Sequence, residues 1–455
     1  MKIPELPSKL PSSIDPSFGK IGLAIGSVAL GQWLLNDVAH VPGGGFAFLA
    51  LGAGMWWLNK PNKTTFDSPT SVEGWVVRCK KVIEQFLVLE EQDNTLIRKE
   101  NRLNELANIL DREKTQTLAF IGSSAIESLN KSAFEACFDQ IKPLDVVWEP
   151  SLPNHAKSRF WPECLDKRDL LVYSLPLPLR ASDLLWLSEI PEQQPSWILV
   201  EWTNDETWNN QLNEVYSQLP DRWQSRVLRI RGNDQKEVSL VFSPIKKVLS
   251  KSEKNIDQTT QRLLSRLHSS WQGELEKIRR RKFSDLQQRN QWVVAGAVFA
   301  SPVPSTDLLS LAVINGLMIK DMASIWSCHW RPEVLQIVVR QLVGAAIAQG
   351  IVEWSGQALL SISKLHSGSW LAAGIMQSLS AAYLTRVVGR SMADWMALNN
   401  GVEECDLEAL KLQAPQIVAK AAAEEKVDWS SFLKQASLWS KEMRSKVNNA
   451  GIISA

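Results

Sequence analysis

The chain has 455 residues, 45% of them hydrophobic and 22% charged, enough for about two to four domains with packed cores. Lys and Arg number 50 against 49 Asp and Glu, and this near-neutrality excludes nucleic acid as the main partner, because phosphate neutralisation needs a basic surplus. Cys79, Cys137, Cys164, Cys328 and Cys405 form no Cys-x-x-Cys pair, which fits scattered thiols in a reducing compartment and excludes a disulfide framework. Cys328-His329 lacks partners at ligand spacing, so no metal site is expected.

Residues 1–63 hold two apolar runs, Ile21–Leu35 and Gly43–Leu58, joined by the polar link Asn36-Asp37. Each run is shorter than the roughly 20 residues of a straight membrane span. Val38-Ala39 and Val41-Pro42 extend them, which predicts a tight transmembrane helical hairpin. Gly22-x-x-x-Gly26 and Ala50-x-x-x-Gly54 allow close helix approach. Trp33, Trp56 and Trp57 sit near the run ends, at headgroup level. Lys2, Lys9 and Lys20 precede the hairpin, and Lys60, Lys63, Arg78, Lys80 and Lys81 follow it. Basic charge on both outer flanks predicts that both termini face the cytoplasm, with membrane lipids as partners.

Residues 64–114 read as a helical stalk. Val72–Glu91 and Thr95–Glu113 carry apolar residues mostly at three- and four-residue spacing, with Asp93-Asn94 as the break.

Residues 115–254 alternate short apolar runs with helical stretches. The strand candidates are Thr117–Ile121, Leu144–Trp148, Leu170–Leu175, Trp197–Val200 and Val227–Ile230, with Ser239–Phe242 as a sixth. Helices are expected over Ala125–Gln140, Ala181–Glu189 and Glu206–Leu219. The alternation predicts a parallel sheet covered on both faces. Its order and spacing are similar to a small P-loop GTPase domain. A phosphate loop needs Gly-x-x-x-x-Gly-Lys-[Ser/Thr], so that backbone amides and the Lys ammonium hold phosphate and the hydroxyl holds magnesium. From Gly122 that triplet falls on Glu127, Ser128 and Leu129, so the second glycine and the lysine are missing. Where the resemblance implies Asp-x-x-Gly, the chain has Glu149-Pro150-Ser151-Leu152. Where it implies a guanine-reading Asn-Lys-x-Asp, the chain has Glu201-Trp202-Thr203-Asn204, with Asp205 one place later. Loss of all three predicts a degenerate, pseudo-GTPase module with no GTP or other cofactor. An altered nucleotide site and an unrelated α/β domain are the alternatives.

Residues 255–455 read as helical. A long helix is expected over Asp257–Gln291, and its basic run Arg279–Lys282 reads as a solvated face, as a contact with anionic headgroups or, last, as a contact with nucleic acid. Val293–Ala300 is small and apolar, Pro302 and Pro304 break it, and Thr306 or Asp307 caps the next helix, Leu308–Lys320. Gly296, Pro302, Pro304 and Asp307 carry a resemblance over Gln291–Gly389 to the C-terminal domain of the YcjF-like bacterial membrane proteins, a domain often fused to a GTPase. Helices are expected over Glu333–Ile362, Trp370–Ala397, Leu407–Ala414 and Trp429–Val447, with Pro415 breaking the pattern. Arg340, Glu353, Arg386 and Arg390 interrupt the apolar runs and favour a soluble or membrane-apposed bundle over further spans. Asp307, Asn315, Lys320 and Asp321 read as caps and helix ends.

The fold class expected is therefore α/β plus all-α: a transmembrane hairpin, a GTPase-like parallel-sheet domain and a C-terminal helical domain. The resemblance implies an integral protein of a bacterial inner or other internal membrane, with the bulk of the chain cytoplasmic. The expected role is scaffolding or membrane organisation through protein contacts, and a dynamin-like GTPase with atypical nucleotide contacts is the alternative. No Ser/His/Asp set or paired-carboxylate motif points to catalysis.

Overall fold

A computed structural model describes residues 68–90, 95–112, 114–123, 131–153, 161–201, 207–230, 235–300, 318–328, 330–363, 370–399 and 406–449. The expected hairpin at 1–63 and the Pro302-x-Pro304 break lie outside the described residues.

Two helices come first, α1 (Val72–Leu89) and α2 (Thr95–Leu110). The Ser71 hydroxyl caps α1 by accepting from the Gly74 amide at 3.1 Å. Trp75, Cys79, Val82, Ile83, Phe86 and Leu89 then form one buried stripe. The Arg102 guanidinium on α2 lies 3.4 Å above the Phe86 ring and pairs with Glu90 at 2.8 Å, clipping the two helices together.

The sheet comes next. In chain order its elements are β1 (Gln116–Gly122), α3 (Lys131–Cys137), β2 (Leu144–Trp148), α4 (Glu163–Asp166), β3 (Leu170–Leu175), α5 (Ala181–Glu189), β4 (Ser196–Glu201), α6 (Thr207–Gln218), α7 (Asp221–Gln224), β5 (Val227–Ile230), α8 (Gln235–Val241) and α9 (Ser243–Leu249). All five strands are parallel, in the order β2-β1-β3-β4-β5. The inner strands β1, β3 and β4 are apolar on both faces, as a sheet covered on both sides requires. Leu118, Phe120, Val172 and Leu199 face Phe134, Val238, Phe242 and Ile245. Ala119, Ile121, Tyr173 and Val200 face Trp186, Leu187, Val215 and Trp223. The parallel sheet read from the sequence is present. Its order is also that of flavodoxin-like doubly wound sheets, so strand order alone does not select a GTPase frame. The sixth strand candidate is corrected. Ser239–Val241 belongs to α8, where Val238 and Phe242, four residues apart, point together into the core.

The helix α10 (Ser252–Ala300) has 49 residues, a length of roughly 70 Å. It extends beyond the expected span at both ends, and its last turns are the small apolar Val293–Ala300. The stalk helices pack along its first half. Cys79 reaches the Leu264 carbonyl at 3.8 Å, and Gln85 accepts from Arg279 at 2.9 Å, so α1 and α10 run in the same direction.

The second half of α10 enters a helical bundle with a helix at 318–325, named α11, followed by α12 (Pro332–Ala348), α13 (Ile351–Ser363), α14 (Trp370–Leu398), α15 (Leu407–Val427) and α16 (Trp429–Asn449). Two expectations are corrected. The single helix over Glu333–Ile362 is two helices meeting at 55°, because Gly350 takes a φ of +67° that the helix cannot accommodate. Conversely, Pro415 does not end the helix before it. α15 runs through it, because Leu410, Ala414, Ile417, Val418 and Ala421 keep one continuous buried stripe. Pro415 is exposed, where water meets the carbonyl left without its partner.

Among the described residues no single helix is long and apolar enough to cross a membrane. The bent pair α12–α13 passes on length and composition. Its outward residues include Glu333, Gln336, Arg340, Glu353 and Gln357, while Leu335, Val338, Val339 and Leu342 face the bundle. That polarity suits a helix pair packed on a core.

Candidate functional site

Ligands of open α/β sheets bind beyond the carboxyl ends of the strands, at the switch point where the strand order reverses. Here that point lies between β1 and β3. Gly122, the first residue of the expected phosphate loop, ends β1 there, and Glu201, the first of the expected base-reading set, ends β4 on the same edge. The structure therefore brings two of the named positions to one edge. Glu127, Ser128, Leu129, Asn204 and Asp205 lie outside the described residues.

On the β2 side of this crevice the chain continues along the end of β1. The Gly122 carbonyl accepts from the Leu152 amide at 2.7 Å, and the Phe120 carbonyl accepts from the Glu149 amide at 3.0 Å. The chain after β2 is thereby pinned along the end of β1. Glu149 is held in turn by Arg168 at 2.8 Å, so this carboxylate, standing at the expected phosphate-sensing position, serves as an ion-pair partner. Beneath, Tyr173 on β3 sits in register with Ile121 and donates to the Asp183 carboxylate at 2.7 Å. Asp183, in the first turn of α5, is fully buried. Burial first, then the hydrogen bond and charge of Asp183, push the Tyr173 phenol well above its ordinary range, and the Ser123 hydroxyl at the end of β1 pulls weakly the other way. Motif matching missed Ser123, Tyr173 and Asp183, since none falls in a GTPase motif. The one available signal was a Tyr among the apolar residues of LLVYSL, ten residues before an Asp at a helix start, and it does not show that the two meet.

The opposite edge of the sheet joins α10 through a polar cluster. Arg112 pairs with Asp169, which also accepts from the Thr117 amide at 2.8 Å. Arg266 pairs with Asp166 at 2.6 Å. Arg262 donates to the Asp166 and Arg168 carbonyls, each at 2.9 Å. Burial lowers the Arg262 pKa to about 10, with Asp166 and Asp169 opposing the shift. Gln116 donates to the Leu249 carbonyl at 2.9 Å and accepts from Asn255 at 2.8 Å. The cluster fixes the sheet to the start of the long helix.

The bundle holds the third polar set. Arg386 pairs with the buried Glu425 at 2.6 Å, and Arg390 with Glu424 and Glu425 at 2.7 and 3.0 Å. Gln287 on α10 donates to the Arg386 carbonyl at 2.7 Å. Arg280 joins Glu276 at 2.7 Å and Asp394 at 2.8 Å, and Trp326 donates to Glu276 at 3.0 Å. Two arginines of the basic run thus have partners inside the protein, since Arg279 is buried against Gln85. Arg281 and Lys282 carry its outward charge.

Residues 262–423 match a family model described as Domain of unknown function (DUF697). The DUF697 region covers just over a third of the chain, from the buried Arg262 on α10 to the last turns of α15. It contains Arg386, Arg390 and Gln287, while Glu424 and Glu425 stand immediately after its end. No curated protein and no solved structure matches the chain. Among the described residues, no group of three His, Cys, Asp or Glu side chains could hold a metal ion.

Proposed function

We propose that the chain is a membrane-anchored pseudo-GTPase that works as a scaffold or membrane organiser through protein contacts. In this reading the N-terminal apolar runs form the anchor, the parallel-sheet domain is a GTPase-like frame without its chemistry, and the DUF697 region is the YcjF-like helical domain. The bulk of the chain and both termini face the cytoplasm. The observation that carries the reading is the buried Tyr173–Asp183 pair at the switch point, beside a Gly122 that no Lys follows at phosphate-loop spacing. The missing lysine removes the cation a triphosphate needs, and the buried pair ties β3 to α5 as structure, while the packed sheet keeps a surface for partners. The test is the nucleotide content of the full chain purified without added nucleotide. Extraction and chromatography are expected to yield none. A stoichiometric guanine nucleotide would favour the dynamin-like GTPase instead.

A further inference from the structure

A cavity of about 380 Å³ opens where α1, the end of α2 and the start of α10 meet, beside the sheet's amino-terminal edge. Its wall carries separated charges of both signs. Arg112 and Lys114 lie on one strand-entry segment, while Glu73 on α1 and Asp257 on α10 supply carboxylates. Among the described residues Lys114, Glu73 and Asp257 form no ion pair, with one another or with anything else. Arg112 spends one nitrogen on Asp169, and its enclosed Nη1 has no partner among the described residues. Ser71 and Thr260 add hydroxyls, and the amino-terminal turn of α1 faces the same space. Charges of both signs that line one cavity without pairing suit a ligand that itself carries both. Among the described residues no aromatic ring lines the cavity, so these give a quaternary ammonium no cation–π cage. A primary ammonium, by contrast, can donate hydrogen bonds to both carboxylates.

We propose that this cavity binds a phosphoethanolamine group, its phosphate against Arg112 and Lys114 and its ammonium against Glu73 and Asp257. The volume is of headgroup size. The lipid headgroup as source rests on the anchored reading above. From Leu58, the end of the second apolar run, to Thr70 on the cavity wall the chain can span at most about 40 Å. A bilayer entered by that run therefore lies within tether reach of the cavity.

The test uses the full chain in detergent with equal phosphatidylethanolamine and phosphatidylcholine, read as retained lipid by native mass spectrometry. One phosphatidylethanolamine per chain is expected in preference to phosphatidylcholine. The variant Lys114→Ala/Asp257→Asn, which changes two exposed residues, should lower retention by about fivefold. Soluble glycerophosphoethanolamine should compete with the lipid. Its binding without any retained lipid would keep the chemistry and overturn the lipid source. Competition by inorganic phosphate alone to the same extent would overturn the zwitterion in favour of a bare anion site. Equal retention of the two lipids, or retention unchanged in the variant, would overturn the proposal outright. Failure of the anchored reading is read separately, as release of the full chain from native membranes by alkaline carbonate.

Discussion

The Tyr173 hydroxyl donates a 2.7 Å hydrogen bond to Asp183, tying the centre of the sheet to the first turn of the helix packed over it. Both residues are fully buried, so neither group can exchange the bond for water. Tyr173→Phe removes the hydroxyl that donates to the carboxylate and should cost about 2 kcal/mol in urea unfolding. Asp183→Asn should cost less, because an amide still accepts from the phenol. Equal losses in the two variants would contradict the retention of a useful hydrogen bond by the amide.

Glu425 is 1% exposed and held by two arginines of α14. Arg386→Ala removes one of the two cations that compensate this buried carboxylate and leaves Arg390, so it is expected to lose about 2 kcal/mol. The double variant Arg386→Leu/Glu425→Leu should recover part of that loss, since the buried carboxylate is gone and Arg390 keeps Glu424. A double variant that is additively worse would refute the pairing as the cause.

Gly350 separates α12 from α13 with a φ of +67°. A Cβ there would meet only the Glu353 carboxylate at an ordinary 3.7 Å, so the cost of a side chain is backbone strain alone. Gly350→Ala should lower stability by about 1 kcal/mol, and Gly350→Asn by less. No loss in thermal unfolding would mean that the two helices join without the left-handed turn.

His268 on α10 packs edge-on against Trp75, with ring centres 5.7 Å apart. Burial first, then the nearby Arg78 charge, depress its pKa below the ordinary 6.5. The unfolded state therefore binds this proton at a higher pH than the folded state. The stability contributed by neutral His268 is complete above about pH 6.5 and declines as pH falls below it toward the folded pKa. Replacing His268 with Gln should flatten stability against pH just below 6.5. An unchanged slope would locate that proton uptake elsewhere.

The sheet was legible because its inner strands are short apolar runs, and a parallel sheet covered on both faces needs such runs. Trp197–Val200 and Leu170–Leu175 fall within a residue of the observed strands. The errors have local causes. Val238 and Phe242 satisfy a strand's apolar demand and a helix's four-residue spacing equally, and the core they face decides between them. Pro415 reads as a breaker until the buried stripe on both sides of it is known, and nothing at Gly350 reveals its φ without coordinates. At the switch point, missing motifs could be read from Glu127 and Leu129. The buried pair there could not, because Tyr173 and Asp183 meet only when the chain folds. The partners of Arg386 and Arg390 lay hidden for the same reason, one helix away at Glu424 and Glu425.

The account depends most on a sheet whose carboxyl edge no longer holds a triphosphate. Equilibrium titration of the full chain with fluorescent GTP and Mg²⁺ tests this directly. The account predicts no saturable signal up to about 1 mM, a binding free energy weaker than about −4 kcal/mol. Saturation at micromolar GTP, displaced by unlabelled GTP, would contradict it.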